Sequence, residues 1–187
     1  MSRPLIAALL VGLLASSARA DDSKLPGPKI VLPEVAGLTR QKPNLFKEAG
    51  QGYSVSYFGK DTSLTVTLYV YNLGRDRIPP GAGSDAVKAE MLDSLNALEA
   101  NKTSGRYKAI APAGETTVTP AGKGGPEFRR RRYEIDITKE GEGTTELYLT
   151  GYKDHFVKIR TTYLDRDRTE CEKQVAKLLE VLSAELK

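Results

Sequence analysis

His155 is the only histidine of the chain and Cys171 its only cysteine. These two counts bound the chemistry at once. Zinc centres draw on several imidazole or thiolate ligands, so a multi-His or Cys-rich metal site cannot be built. A Ser–His–Asp triad or a Cys–His pair would have to use His155. Leu147, Leu149 and Gly151 alternate inward on one stretch, as do Val157, Ile159 and Thr161 on the next. A three-residue loop, Lys153-Asp154-His155, would pair Tyr152 with Phe156 and Leu149 with Ile159. That places His155 at an exposed hairpin tip, where a left-handed backbone is often needed. Cys171 opens an apolar helical stripe and reads as a small buried hydrophobe.

The four consecutive arginines at 129–132 are unusual. If Tyr133, Ile135 and Ile137 face the core, Arg129 and Arg131 share their side. An unpaired guanidinium is too costly to bury. The run is therefore expected as a solvated strand end laced with carboxylates such as Glu127, or as an anion-binding corner. The segment Gly122-Lys123-Gly124-Gly125 has phosphate-loop composition but lacks the spacing of a P-loop. Asn101-Lys102-Thr103 is a glycosylation sequon. Acidic residues are scattered, as in Asp165-Arg166-Asp167-Arg168, and single out no catalytic carboxylate pair. No catalytic residue, cofactor site or metal site is assigned.

The elements that must position these residues follow from periodicity. Tyr53, Val55 and Tyr57 alternate with polar residues, as do Leu64, Val66, Leu68 and Val70 after Gly59. Period-2 alternation on both sides of a glycine turn predicts a hairpin with one apolar and one semi-polar face. Ser84 or Asp85 can cap a helix whose stripe is Val87, Met91, Leu95 and Leu98. Residues 106–126 are broken by proline and glycine and hold at most short strands at 107–110 and 116–119. Strands follow around Tyr133–Ile137, Leu147–Leu149 and Val157–Thr161. Cys171, Val175, Leu178, Leu179, Leu182 and Leu186 form one stripe of a closing helix, with Thr169 and Glu172 spaced as a capping box. Short turns make consecutive strands antiparallel. The fold class is α+β: an antiparallel sheet of five or more strands packed with two main helices.

The N-terminus carries Arg3, ten apolar residues at 5–14 and Ala18-Arg19-Ala20, the three parts of a cleavable export signal. The expected organisation is a signal peptide over 1–20, an irregular N-terminal arm over 21–50 with a short strand at Ile30-Val31-Leu32, and a single domain over 51–187. Ten apolar residues are too few to span a bilayer as a helix, so no transmembrane segment is expected after cleavage near Ala20. The expected location is secreted or periplasmic. Removal of 1–20 takes away Arg3 and Arg19 and leaves 26 basic against 24 acidic residues, a net charge of +2. So balanced a charge gives little field for a nucleic-acid partner.

The order of elements, with the hairpin from Tyr53 to Tyr71, the helix near 84–100, the strands within 128–163 and the helix at 169–186, resembles the PsbP-like fold of a photosystem II extrinsic subunit and its relatives. The resemblance implies a non-catalytic role docking on a larger assembly. The expected partner is an envelope or membrane-associated one, or an anionic ligand of the kind the arginine run could hold. A carrier with an apolar pocket beside Gly151 and Thr161 is the second reading, and a hydrolase the third. The expected interaction surface is one outward aromatic–basic face made of Arg130, Arg132, Tyr148, Tyr152, Phe156, Lys158 and Arg160.

Overall fold

The alternation of Tyr53, Val55 and Tyr57 becomes strand β3 (Tyr53–Gly59), and that of Val66, Leu68 and Val70 becomes β4 (Thr65–Tyr71). The structure, a computed structural model, describes residues 25–28, 30, 34–118 and 125–187. The expected signal peptide at 1–20 lies outside the described residues. Register sets Tyr53 opposite Val70, Val55 opposite Leu68 and Tyr57 opposite Val66, so all six apolar side chains share one face. The remaining strands are β1 (Leu38–Arg40), β2 (Asn44–Leu45), β5 (Tyr107–Val118), β6 (Phe128–Ile137), β7 (Gly141–Tyr152) and β8 (His155–Leu164). They form one eight-stranded antiparallel sheet in the order β1-β3-β4-β8-β7-β6-β5, with β2 beside β3. The fold is α+β, as the sequence predicts.

The two helices cover opposite faces. Helix α1 (Asp85–Thr103) begins at Ser84, whose hydroxyl accepts from the Val87 amide at 3.3 Å, a capping bond that satisfies a free helix-terminal donor. It buries Val87, Met91 and Leu98 against Tyr71, Leu147, Leu149 and Phe156 at one end and Tyr107, Tyr133 and Ile135 at the other. Helix α2 (Arg168–Glu185) buries Cys171, Val175, Leu178, Leu179 and Leu182 against β3, β4 and the Val157 and Ile159 side of β8. Its start differs from the expected capping box. A 3-10 turn, Asp165–Asp167, runs straight into the helix, and the Asp167 carboxylate accepts from the Ser63 amide at 2.8 Å instead of from its own helix.

Three further expectations are corrected. The arm is not irregular throughout: β1 and β2 lie within it and pair with β3. Ile30 is buried outside any strand, while Val31 and Leu32 lie outside the described residues. Residues 107–118 form one long strand instead of two short ones. Pro112 is tolerated because β5 is the sheet edge and register shifts at 107/109 and 112/115 absorb the irregularity. The β7–β8 loop has two residues, not three. Lys153 and Asp154 both take positive φ, 45° and 58°, and pair Tyr152 with His155. That geometry is the primed turn that matches strand twist. Leu149 consequently faces Lys158, and every β8 side chain lies on the face opposite to the one expected from Leu147 and Leu149. Both faces of the central strands are covered, so β7 buries residues 143–151 without a break. Among the described residues no helix is long and apolar enough to cross a membrane.

Candidate functional site

The two-residue turn divides the seven residues expected on one face. Arg130, Arg132, Tyr148 and Tyr152 lie on the α2 side, and Phe156, Lys158 and Arg160 on the α1 side. Tyr148 and Phe156 are 4% and 0% exposed. The expected shared aromatic–basic surface therefore does not form.

On the α2 side the cations meet carboxylates. Glu146, 2% exposed, accepts from Arg130 and, at 2.7 Å, from the Tyr148 hydroxyl, with Arg132 Nη1 at 3.6 Å. Arg132 also reaches Glu172 at 3.2 Å. Burial, then the neighbouring Glu146 charge, holds the Tyr148 hydroxyl above the usual phenol range. On the other side Arg129 and Arg131 share Glu115, contributed by β5. The arginine run is thus a ladder of ion pairs alternating between faces. Its carboxylates come from β5, β6, β7 and α2, whereas Glu127 is exposed. Tyr152 is half-buried, with its hydroxyl 3.4 Å from the Lys187 carbonyl and the Lys153 ammonium 4.8 Å over its ring.

Lys158 sits beneath α1. Its ammonium donates to Ser94 Oγ at 3.0 Å, lies 3.6 Å from Glu90 Oε1, and stands 5.3 Å and 4.9 Å from the Tyr69 and Tyr71 rings. The Ser94 and Tyr71 hydroxyls both donate to Glu90 Oε1, at 3.2 Å and 2.5 Å. Burial pushes the Lys158 pKa down against the upward pull of Glu90. A Ser–Lys nucleophile requires the lysine to take the serine proton. Here Ser94 accepts from Lys158 and gives its own proton to Glu90, the order of a structural bridge.

His155 and Cys171 are not brought together. Cys171 lies at the Leu164 end of β8, near Ser63 and Asp167, and His155 at the other end, nine strand steps or roughly 30 Å away. Burial pushes the Cys171 thiol up and so disfavours its thiolate. His155 is half-buried, not an exposed tip: its Nδ1 lies 2.8 Å from the Lys153 carbonyl and its ring lies against Gly27. Residues 122–124 of the glycine-rich segment lie outside the described residues. Asn101 spends its amide on the Ala97 and Leu98 carbonyls. Among the described residues no group of three or more His, Cys, Asp or Glu could hold a metal ion.

Arg160 is different. It lines a hollow of about 500 Å³ on the α1 side, beyond the C-terminal end of that helix. The floor is the β4–β8 ladder, where Thr65 faces Thr162 and Thr67 faces Arg160, with Tyr69 next along β4. The walls are Gly105 and Arg106, which join α1 to β5, and Thr138 and Glu140 from the β6–β7 turn. Arg160 Nη2 donates to the Tyr107 hydroxyl at 2.5 Å. Among the described residues no carboxylate lies within ion-pair distance of Arg160. The Arg106 guanidinium stacks 5.9 Å over the Tyr107 ring, adding a second cation. Glu140 is the single acid in the lining.

The sequence reading missed the threonines of this hollow. Their signal was the semi-polar side of the β4 alternation, which marked a face that α1 leaves uncovered. No protein-family model matches the chain, and no curated protein matches it.

Proposed function

We propose that the protein is an exported, non-catalytic binding protein that holds an anionic group of a small ligand at Arg160. One observation carries this reading. Arg129, Arg130, Arg131, Arg132 and Arg168 each have a carboxylate partner, while half-buried Arg160 has none among the described residues and opens onto a hydroxyl-lined hollow. A guanidinium fork preorganised by the Tyr107 hydroxyl is suited to bidentate capture of a carboxylate or phosphate. The N-terminal leader supports export. The roughly 30 Å separation of His155 from Cys171 and the proton order at Ser94 support a binding role over hydrolysis.

The other readings have less support. Docking through an aromatic–basic face rested on side chains that lie on opposite sides of the sheet, with Tyr148 and Phe156 buried. The apolar carrier rested on space beside Gly151, which the Pro79 carbonyl fills: a Cβ there would lie 2.0 Å from that oxygen. The PsbP-like element order supports a binding role by analogy alone.

The test is calorimetric titration of the purified protein with acetate, phosphate and larger organic acids at low ionic strength. The reading expects saturable one-to-one binding that weakens with salt, and at least tenfold weaker binding in Arg160→Gln with an unchanged urea midpoint. Absence of saturable binding by every anion, or unchanged affinity in Arg160→Gln, overturns it.

A further inference from the structure

The lining of the hollow specifies more than a charge. Small-molecule sites enclose roughly 300–1,000 Å³, and about 500 Å³ falls within that range. An inorganic ion at Arg160 would leave most of the space to water. The ligand therefore extends well beyond its anionic group.

What it meets there is an array of hydroxyls. Thr65, Thr67 and Tyr69 project from β4 and Thr162 from β8, with Ser63 and Thr138 at the rim. Some are anchored within the protein: Thr162 Oγ1 lies 3.1 Å from Thr145 Oγ1, Thr67 Oγ1 lies 3.4 Å from Ser56 Oγ, Thr138 Oγ1 donates to the Gly105 carbonyl at 2.7 Å, and Ser63 Oγ accepts from the Leu164 amide at 2.9 Å. The hydroxyls of Thr65 and Tyr69 make no hydrogen bond to another described residue. Each hydroxyl both donates and accepts. A ligand carrying only hydrocarbon behind its acid would displace water from these groups without replacing the bonds, which costs affinity. A ligand bearing its own hydroxyls replaces them one for one. Ile137 and Leu164 supply an apolar patch in the same lining, suited to the C–H face of a saturated ring.

Resting on the anion-binding reading above, we infer that the ligand class is an acidic sugar: a hexuronate-type ring whose carboxylate sits on Arg160 and whose hydroxyls bond the threonine floor. Glu140 at the rim accepts from a ring hydroxyl distant from the carboxylate, and its charge orients the ligand acid toward Arg160.

The experiment is titration of the purified protein with four probes: sodium glucuronate, glucose, cyclohexanecarboxylate and inorganic phosphate. Glucuronate is expected to bind at least tenfold more tightly than each of the others. Thr65→Val with Thr67→Val should weaken glucuronate at least fivefold and leave phosphate unchanged, whereas Arg160→Gln should weaken both. If cyclohexanecarboxylate or phosphate matches glucuronate, the acidic-sugar inference is overturned and the anion site stands. If glucose matches glucuronate, or no probe binds, the acidic sugar and the anion site both fall. Thermal midpoints of each variant within 2 °C of wild type establish folding. Should the double valine variant unfold, Tyr69→Phe, which removes one hydroxyl and keeps the ring, replaces it with the same expected direction.

Discussion

Replacing Glu90 tests whether the polar cluster under α1 is a bridge or a collection of near neighbours. The carboxylate is 6% exposed and takes the Tyr71 hydroxyl at 2.5 Å and the Ser94 hydroxyl at 3.2 Å, with the Lys158 ammonium 3.6 Å away. Glu90→Leu orphans two hydroxyl donors and leaves a cation without its counter-charge. Each orphaned buried donor costs about 1–3 kcal/mol, and breaking a buried ion pair from one side costs about 3–5 kcal/mol. These penalties overlap, so the expected loss is about 3–5 kcal/mol. Lys158→Met keeps the stem that packs on the Tyr69 and Tyr71 rings and leaves Glu90 its two hydroxyl donors. Its expected loss is smaller, about 1–2 kcal/mol. In the double variant the lost pair interaction is counted once, so the two losses fall short of additivity by about 1–2 kcal/mol. The assay is urea denaturation followed by far-UV circular dichroism, since the chain has no tryptophan. A Glu90→Leu loss below about 1 kcal/mol, or strict additivity with Lys158→Met, refutes the bridge.

Gly151→Ala places a Cβ 2.0 Å from the Pro79 carbonyl and disturbs the Gly81–Gly151 bridge, so a loss of about 1–3 kcal/mol is expected by thermal denaturation. Cys171, fully buried, should react with an aromatic disulfide reagent only on unfolding, and its rate should rise with urea in step with global opening. At Glu134, burial raises the pKa, but the hydrogen bond and charge of Arg168 and the charge of Arg132 outweigh it and hold the group below the usual carboxylate range. The folded pKa lies below the unfolded one, so this contribution is present above about pH 4.3 and disappears as pH falls through the folded value. Glu134→Gln should flatten that part of the acid-denaturation curve by less than about 1 kcal/mol, because the side chain is 45% exposed and screened by solvent. Urea midpoints between pH 2 and 6 measure it.

The alternation of Tyr53–Tyr57 and Val66–Val70 and the stripes of α1 and α2 made the fold class legible, because periodicity is local. Sidedness was not legible. An alternation beside two helices reads as one apolar face, yet β7 and β8 bury both sides, so Leu149 and Val157 are each interior on opposite faces. The turn at Lys153-Asp154 decided that, and one residue of loop length inverts a whole strand. Partners distant in sequence were equally hidden: nothing near residues 129–132 indicates that Glu115 and Glu146 neutralise them. Arg160 was singled out from sequence, but for a surface that does not exist. Its actual setting joins Thr65, Gly105 and Thr138, which only the tertiary fold assembles.

The pairing of β4 with β8 has a kinetic consequence. Thr65 meets Thr162 and Tyr71 meets Phe156 at sequence separations of 97 and 85. Strands β6, β7 and β8 join through turns of three and two residues and can form early, whereas β1–β4 gain their inner neighbour only when β8 is present. Loop-closure entropy must be met before this contact returns any stabilisation. During vectorial synthesis the hairpin of β3 and β4 would wait, with Val66, Leu68 and Val70 open to water, until residues 155–164 and the closing helix emerge. The β4–β8 pairing is then the late step of folding, a zippering along one strand boundary.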